Sequence, residues 1–264
     1  MTASNKGTAL VTGASTGIGE IYADRLADRG YDLILVARRK EALEAVAKKI
    51  TDRTGRKVEV LRADLSLRED IATVEQRLAT DGSITLLVNN AGISLAGSFL
   101  DNDSAKIEQL LTINVTAPTL LSAVAAKAFK ARNAGGIVNI ASVLAFGPEM
   151  FDGIYSGSKA HLVNITHSLA AQLKGTNVRV QVVAPGATRT EIWKKSGKDI
   201  DTLLPGKVME TADLVDAALR GYDMGELVTI PPLHDESLYL AYEKARMAML
   251  PNLSNKDVAE RYRG

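Results

Sequence analysis

The sequence predicts an α/β fold, a mostly parallel, doubly wound sheet in a single domain, on three observations. Short β-branched runs alternate with longer stretches of helical period between Lys6 and Ile230. The short runs are continuously apolar, which suits strands covered on both faces better than strands with one wet face. The first of them passes directly into a glycine-rich turn, Thr12 to Gly19, that opens a helix.

The elements follow in order. Thr8 to Val11 is the first strand, and the helix after the glycine turn is expected to start near Gly17. Leu33 to Val36 leads into a helix over Glu41 to Ile50, and Val58 to Leu61 into one over Ile71 to Leu78. Leu86 to Val88 precedes the long helical run Ile107 to Phe129, and Ile137 to Ile140 precedes Ala160 to Leu173. Val178 to Val183, a helix over Ala212 to Tyr222 and a last strand over Leu227 to Ile230 complete the series. Strand-helix-strand returns of this kind are right-handed crossovers, so the chain winds into a Rossmann-type sheet. Glu191 to Glu210 breaks the alternation: it is polar and carries Ser196-Gly197 and Pro205-Gly206. A long irregular insert in a compact domain is a functional loop or a disordered one, and residues 191–210 are read as a substrate lid. From Pro231 to the end, residues 231–264, the chain reads as a helical extension with Leu238, Tyr242 and Ala245 at helical spacing.

Composition narrows the function. A chain of 264 residues, 46% of them hydrophobic, can bury the core of one α/β domain. The 32 Lys and Arg nearly balance the 31 Asp and Glu, so nothing in the charge calls for nucleic acid or an acidic membrane surface. The lack of cysteine removes disulfides, thiolate nucleophiles and Cys-ligated zinc, and is consistent with a reducing, cytoplasmic setting. His161, His167 and His234 show no i, i+4 pairing, so no metal site is expected. The opening M-T-A-S-N-K-G has no basic and apolar leader pattern, and no stretch of about 18 apolar residues follows, so neither export nor a membrane span is expected.

The chemistry is carried by Tyr155 and Lys159 in Y-S-G-S-K, with Ser142 upstream. Four residues make about one helical turn, so phenol and ammonium share a helix face and can meet at one substrate oxygen. A tyrosine with a pKa near 10 is a poor acid-base group at neutral pH, and a nearby cation is expected to lower that value. Ser142 follows Ile137 to Ile140, at a strand's carboxyl end, where ligands of open α/β sheets bind. In the glycine turn, Gly13 permits a tight bend, Gly17 lets backbone approach a pyrophosphate, and Gly19 lets the helix pack closely. The helix start then offers free N–H groups to an anion.

Five signatures in this order resemble the short-chain dehydrogenases/reductases: Thr12 to Gly19, Asn89-Asn90-Ala91-Gly92, Asn114, Ser142 with Tyr155 and Lys159, and Pro185-Gly186. The glycine spacing, G-x-x-x-G-x-G, is that family's own. The resemblance implies an oxidoreductase that moves hydride between a nicotinamide and a carbonyl or secondary alcohol, with catalytic Asn114, Ser142, Tyr155 and Lys159. In the family the lysine also binds the nicotinamide ribose, and the asparagine holds a water linking the lysine to solvent. Carried over residue by residue, the cofactor would meet Gly13, Ser15, Thr16, Gly17, Ile18 and Gly19 at its phosphates. Asp64 and Leu65 with Asn90, Ala91 and Gly92 would line its adenosine side, and Pro185, Gly186, Thr188 and Thr190 its nicotinamide. Asn89 is expected to be partly structural. NAD-specific members end the second strand on an acid; here Ala37 is followed by Arg38 and Arg39, which favours NADP(H) because a guanidinium can bind the 2′-phosphate bidentately. Thr16 departs from the basic residue many NADP-using relatives place there. Gly157 departs from the usual alanine and is expected to loosen its turn or leave room for a bulkier ligand.

Two classes of function remain, a carbonyl reductase or alcohol dehydrogenase and a non-catalytic NADP(H)-binding sensor or regulator. The intact Ser142, Tyr155 and Lys159 favour the first. Leu144, Phe146, Met150 and Phe151, with Ile192 and Trp193 on the lid, predict an apolar substrate. The face of Ala160 to Leu173 predicts a homodimer or homotetramer.

Overall fold

Consecutive apolar residues in one strand point to opposite faces, so each must find its own cover. The computed structural model, which describes residues 6–95, 99–150, 153–190 and 200–263, provides that cover as a layer of helices on each side of one sheet. The strands are β1 (Thr8–Thr12), β2 (Asp32–Ala37), β3 (Val58–Arg62), β4 (Ile84–Asn89), β5 (Gly135–Ile140), β6 (Val178–Val183) and β7 (Val228–Thr229). They lie in the order β3-β2-β1-β4-β5-β6-β7, and every pairing is parallel. In β1, Ala9 and Val11 join Tyr22 and Leu26 of α1 (Gly17–Asp28), Leu43 of α2 (Lys40–Thr54) and Val215 of α7 (Thr211–Met224). Leu10, between them, joins Ile71 of α3 (Arg68–Thr80) and Leu121 and Phe129 of α5 (Ala117–Arg132) on the other side.

The chain runs outward from β1 to β3, then returns to place β4 beside β1. That reversal leaves a crevice at the carboxyl ends of β1 and β4, where open α/β sheets bind ligands. The β3 run departs from the expectation of cover on both faces. It is an edge strand, with Val58 and Val60 half-buried and Glu59 exposed, where it pairs with Arg77 at 2.6 Å.

The expected single helix Ile107 to Phe129 is broken in its bonding. α4 (Ser104–Leu111) passes through a π turn, Thr112–Thr116, before α5 begins. Pro118 in the first turn of α5 has no N–H to offer the carbonyl four residues back, that of Asn114. The whole stretch Ser104–Arg132 is apolar enough by composition to cross a membrane, but half of its most apolar window is buried in the fold.

The chain divides into two compact units, Met1–Pro231 and Pro232–Gly264. The first holds the sheet, together with α6 (Gly153–Gln172) and a helical turn at Ile200–Leu203. The second holds α8 (Glu236–Met249) and two short helical turns, Leu250–Asn252 and Glu260–Tyr262.

Candidate active site

The site begins where β1 ends. The Thr12 hydroxyl accepts from the backbone N–H groups of Asn90 and Ala91, each at 3.0 Å. The Asn90 amide donates to the carbonyls of Thr12 at 2.9 Å and Gly13 at 3.2 Å. These bonds fasten the ends of β1 and β4 together beneath the turn. Gly13 and Gly17 both take positive φ, 66° and 61°. A Cβ on Gly13 would fall 2.9 Å from the Ala91 Cα, and one on Gly19 would fall 2.4 Å from the Gly13 carbonyl. α1 starts at Gly17 without a side-chain cap from Thr16, which leaves its first N–H groups for an anion.

One cleft of about 560 Å³ runs from this turn to the chemical end. Gly13, Ser15, Thr16, Gly17 and Ile18 line its start, and Arg38 and Arg39 stand exposed on its rim after β2. Asp64, Leu65, Asn90, Ala91 and Gly92 form the next part of the wall. Asp64 is fixed there, one carboxylate oxygen accepting from the Ser66 N–H and hydroxyl at 3.0 and 2.8 Å. Pro185, Gly186, Thr188 and Thr190 follow β6 on the opposite wall. A side chain at Gly17 would meet the Thr190 methyl at 3.6 Å, so this segment returns to the glycine turn.

At the far end, Ser142 leaves β5 in extended backbone, its hydroxyl accepting from the Leu144 N–H at 3.2 Å and hydrogen-bonded to the Tyr155 phenol. One turn along α6, the buried Lys159 ammonium donates to the Ile140 carbonyl at 3.0 Å and lies 5.6 Å from the Tyr155 ring centre. This corrects the expected electrostatics. Burial pushes the Tyr155 phenol up to about 12, with the Ser142 hydrogen bond opposing it, and pushes Lys159 down to about 8. At both groups the cost of taking the charged form out of water is the dominant effect.

Two of the expected residues stand behind the cleft. Gly19 packs against Gly13 and Asn90. Asn114 is fully buried in the π turn, accepting from the Ile93 N–H at 2.9 Å and donating to the Ile93 carbonyl at 2.8 Å and Ser158 hydroxyl at 3.1 Å. Its side chain clamps the chain after β4 to α6; its carbonyl is the one Pro118 cannot bond. Asn89 also turns away, its amide donating to Ser122 and Asn139 at 2.9 Å each. Gly157 meets open space on the outside of α6, so its missing side chain makes no room for a ligand.

Leu144 and Met150 line the cleft as expected, Phe146 does not, and Phe151, Ile192 and Trp193 lie outside the described residues. The sequence reading missed Ile93, Ser94 and Leu95, which continue the wall beyond Gly92, and Leu204. The apolar I-S-L directly after N-N-A-G was the available signal for the first group; Leu204 had none.

Residues 7–201 match the family described as short chain dehydrogenase. The fold superposes on a short-chain dehydrogenase from Sphingobium yanoikuyae in complex with NADPH, with a TM-score of 0.93 and 46% identity, over 97% of this chain and 100% of that one. It also superposes on the bulky-bulky ketone specific alcohol dehydrogenase from Comamonas testosteroni, with a TM-score of 0.91 and 40% identity, over 99% and 100% of the two chains. Human 17-beta-hydroxysteroid dehydrogenase type 3 is 33% identical over 74% of this chain, which spans 63% of that protein's length. With the parallel seven-stranded sheet and the glycine turn at its switch point, these likenesses establish that the chain belongs to the short-chain dehydrogenase/reductase family of oxidoreductases.

Proposed function

We propose that the protein is an NADP(H)-dependent reductase of ketones whose carbonyl carries large apolar groups. The observation that carries this reading is the single cleft joining the glycine turn and Arg38 to the Ser142–Tyr155–Lys159 cluster. The turn fits a dinucleotide, because the positive φ of Gly13 and Gly17 bends the backbone tightly into the uncapped start of α1, where N–H groups can meet phosphates, and Ala37 leaves no acid to repel a 2′-phosphate. Bound there, the cofactor supplies the hydride.

The chain's own residues supply orientation and the proton. Ser142 and Tyr155 present two hydroxyls to one substrate oxygen. A phenol held near 12 keeps its proton at neutral pH, so Tyr155 acts as the donor to that oxygen in the reducing direction. Lys159, near 8, stands ready to restore the proton, and the Asn114 carbonyl, to which Pro118 cannot donate, is the group that would hold a water between Lys159 and solvent. Leu95, Leu144, Met150 and Leu204 give the substrate end an apolar wall, which suits the substrate class for which the Comamonas enzyme is named. Loss of NADPH absorbance should be followed over aryl-alkyl and diaryl ketones, steroids, 3-oxoacyl thioesters, aldehydes and sugars. Turnover confined to sugars or small aldehydes, or faster turnover with NADH than with NADPH, would overturn the proposal.

A further inference from the structure

After β6 the chain alternates between two sides. Thr188 and Thr190 line the cleft, while Arg189 between them does not line it and stands exposed. Successive side chains of extended backbone point opposite ways, so a stretch that turns two hydroxyls into the cleft turns a guanidinium out of it. That guanidinium is fully engaged. Its two terminal nitrogens donate to the two carboxylate oxygens of Asp201 at 2.6 and 2.8 Å, and its Nε donates to Glu210 at 2.8 Å. The backbone follows the same path: the Arg189 N–H donates to the Met209 carbonyl at 3.0 Å, and the Met209 N–H to the Ala187 carbonyl at 2.9 Å. Arg189 thus holds both ends of the segment 201–210.

Leu204 lies between those ends and lines the cleft. Its N–H donates to the Ile200 carbonyl at 2.9 Å, and its carbonyl accepts from the Lys207 N–H at 3.1 Å, so it closes the helical turn Ile200–Leu203. One helical turn does not hold itself in water, so Leu204 reaches the cleft only where tertiary contacts fix that turn. Burial of Ile200 is one such contact, and the Arg189 fork on Asp201 is the other. An isolated exposed ion pair contributes little, because two long side chains lose freedom to a contact that water screens. Arg189 is not such a pair. Its grip on Asp201 is bidentate, and one planar guanidinium is shared by two carboxylates, a geometry that a lysine ammonium cannot reproduce.

We propose that Arg189 is a positioning residue for substrate specificity: its fork on Asp201 and Glu210 holds Leu204 in the cleft as a wall against which an apolar group of the substrate packs. The substrate part rests on the reading of this cleft as a site for large apolar ketones. The test uses the full chain with Arg189→Met, which keeps the apolar stem and removes the fork, with Leu204→Ala, and with the double variant. Amide hydrogen exchange without substrate should quicken about 10-fold or more at Leu204, Lys207 and Met209 in Arg189→Met, and keep its wild-type rate in β1 and β4, which shows that the body has folded. With NADPH saturating, Arg189→Met should raise KM for the largest ketone turned over by about 10-fold, the effect of a lost apolar contact, and change kcat less. Leu204→Ala should do the same, and the double variant should be no worse than Leu204→Ala alone, because Arg189 acts through Leu204. Unchanged exchange at the three amides overturns the proposal whatever the substrate is. So does an unchanged KM in Arg189→Met, or a double variant in which the two effects add in full. A wild type that turns over no large ketone, beside an Arg189→Met chain whose exchange still quickens, would refute the ketone reading and uphold the clamp.

Discussion

Replacing Tyr155 with Phe removes one oxygen from the cleft and leaves nearly everything around it in place, so the structure sets what should change. In the proposed reaction the phenol is the proton donor at the substrate oxygen, and loss of a positioned general acid costs about 10²–10⁴ in rate, or about 3–5 kcal/mol of barrier. Ser142 keeps its backbone partner at Leu144 and still orients the carbonyl, so some turnover remains. Lys159 is held by the Ile140 carbonyl and not by the phenol, so NADPH affinity should move by no more than about twofold, well under 1 kcal/mol. Stability should fall by about 1 kcal/mol with the lost Tyr155–Ser142 hydrogen bond. Single-turnover reduction measured beside a fluorescence titration of NADPH separates these terms. Lys159→Ala, which deletes the ammonium itself, should damage both. A Tyr155→Phe enzyme reducing ketone within tenfold of wild type would refute the assignment, and one that loses NADPH affinity as well would refute the separate anchoring of Lys159.

Arg38→Ala should weaken NADPH binding about 10- to 100-fold, the worth of a charge-assisted hydrogen bond, and leave NADH binding nearly unchanged; equal affinities in wild type would sink the NADP(H) preference. Burial holds Lys159 near 8 instead of 10.5, so it is cationic below pH 8 and loses its proton above it; kcat/KM should fall with unit slope on the basic side near that value, and a plateau to pH 10 would contradict the role. The same shift means that the charged lysine costs stability fully below pH 8 and not at all above 10.5, so Lys159→Met should raise the melting temperature at neutral pH while abolishing turnover. Gly19→Ala places a Cβ 2.4 Å from the Gly13 carbonyl and should cost about 1–3 kcal/mol together with NADPH affinity, a result checked by melting and titration. Pro118→Ala restores the N–H that can close on the Asn114 carbonyl, so stability should rise by about 1 kcal/mol while turnover falls; a variant as active as wild type would remove that carbonyl from the proton path.

What could be read from the chain alone were the features that local geometry demands. The turn at Gly13 and Gly17 needs positive φ, the Tyr155–Lys159 pair needs one helical turn, and the Ala37-Arg38 step is legible because it directly follows an apolar strand. Features set by distant neighbours were not legible. Val58 to Leu61 is as apolar as the inner strands, and only the sheet order makes β3 an edge. Leu204 reaches the cleft from beyond the irregular stretch, whereas the structural part of Asn89 was legible, its amide tying β4 to Asn139 of β5 where the two strands pair in register. The direction of the Tyr155 shift is of the same kind, since four-residue spacing specifies proximity to Lys159 but not the desolvation that opposes it.

Under the proposed mechanism, that opposition bears on the direction of the reaction. The half-buried phenol and the buried ammonium are each pushed toward the neutral form, so the surroundings that lower the polarity at the cleft's chemical end also keep the proton on Tyr155. For reduction this is the required state: the proton waits beside the oxygen that will take negative charge, and Ser142 already holds the phenol in line. For oxidation the same residue must first lose its proton in a low-dielectric setting, which those surroundings resist. Lys159 partly offsets the asymmetry, because an ammonium near 8 exchanges protons at neutral pH and can reload the phenol after each cycle. The buried Asn114 clamp holds α6 against the chain after β4, so the distance over which that reloading occurs is set by side chains that never touch the substrate.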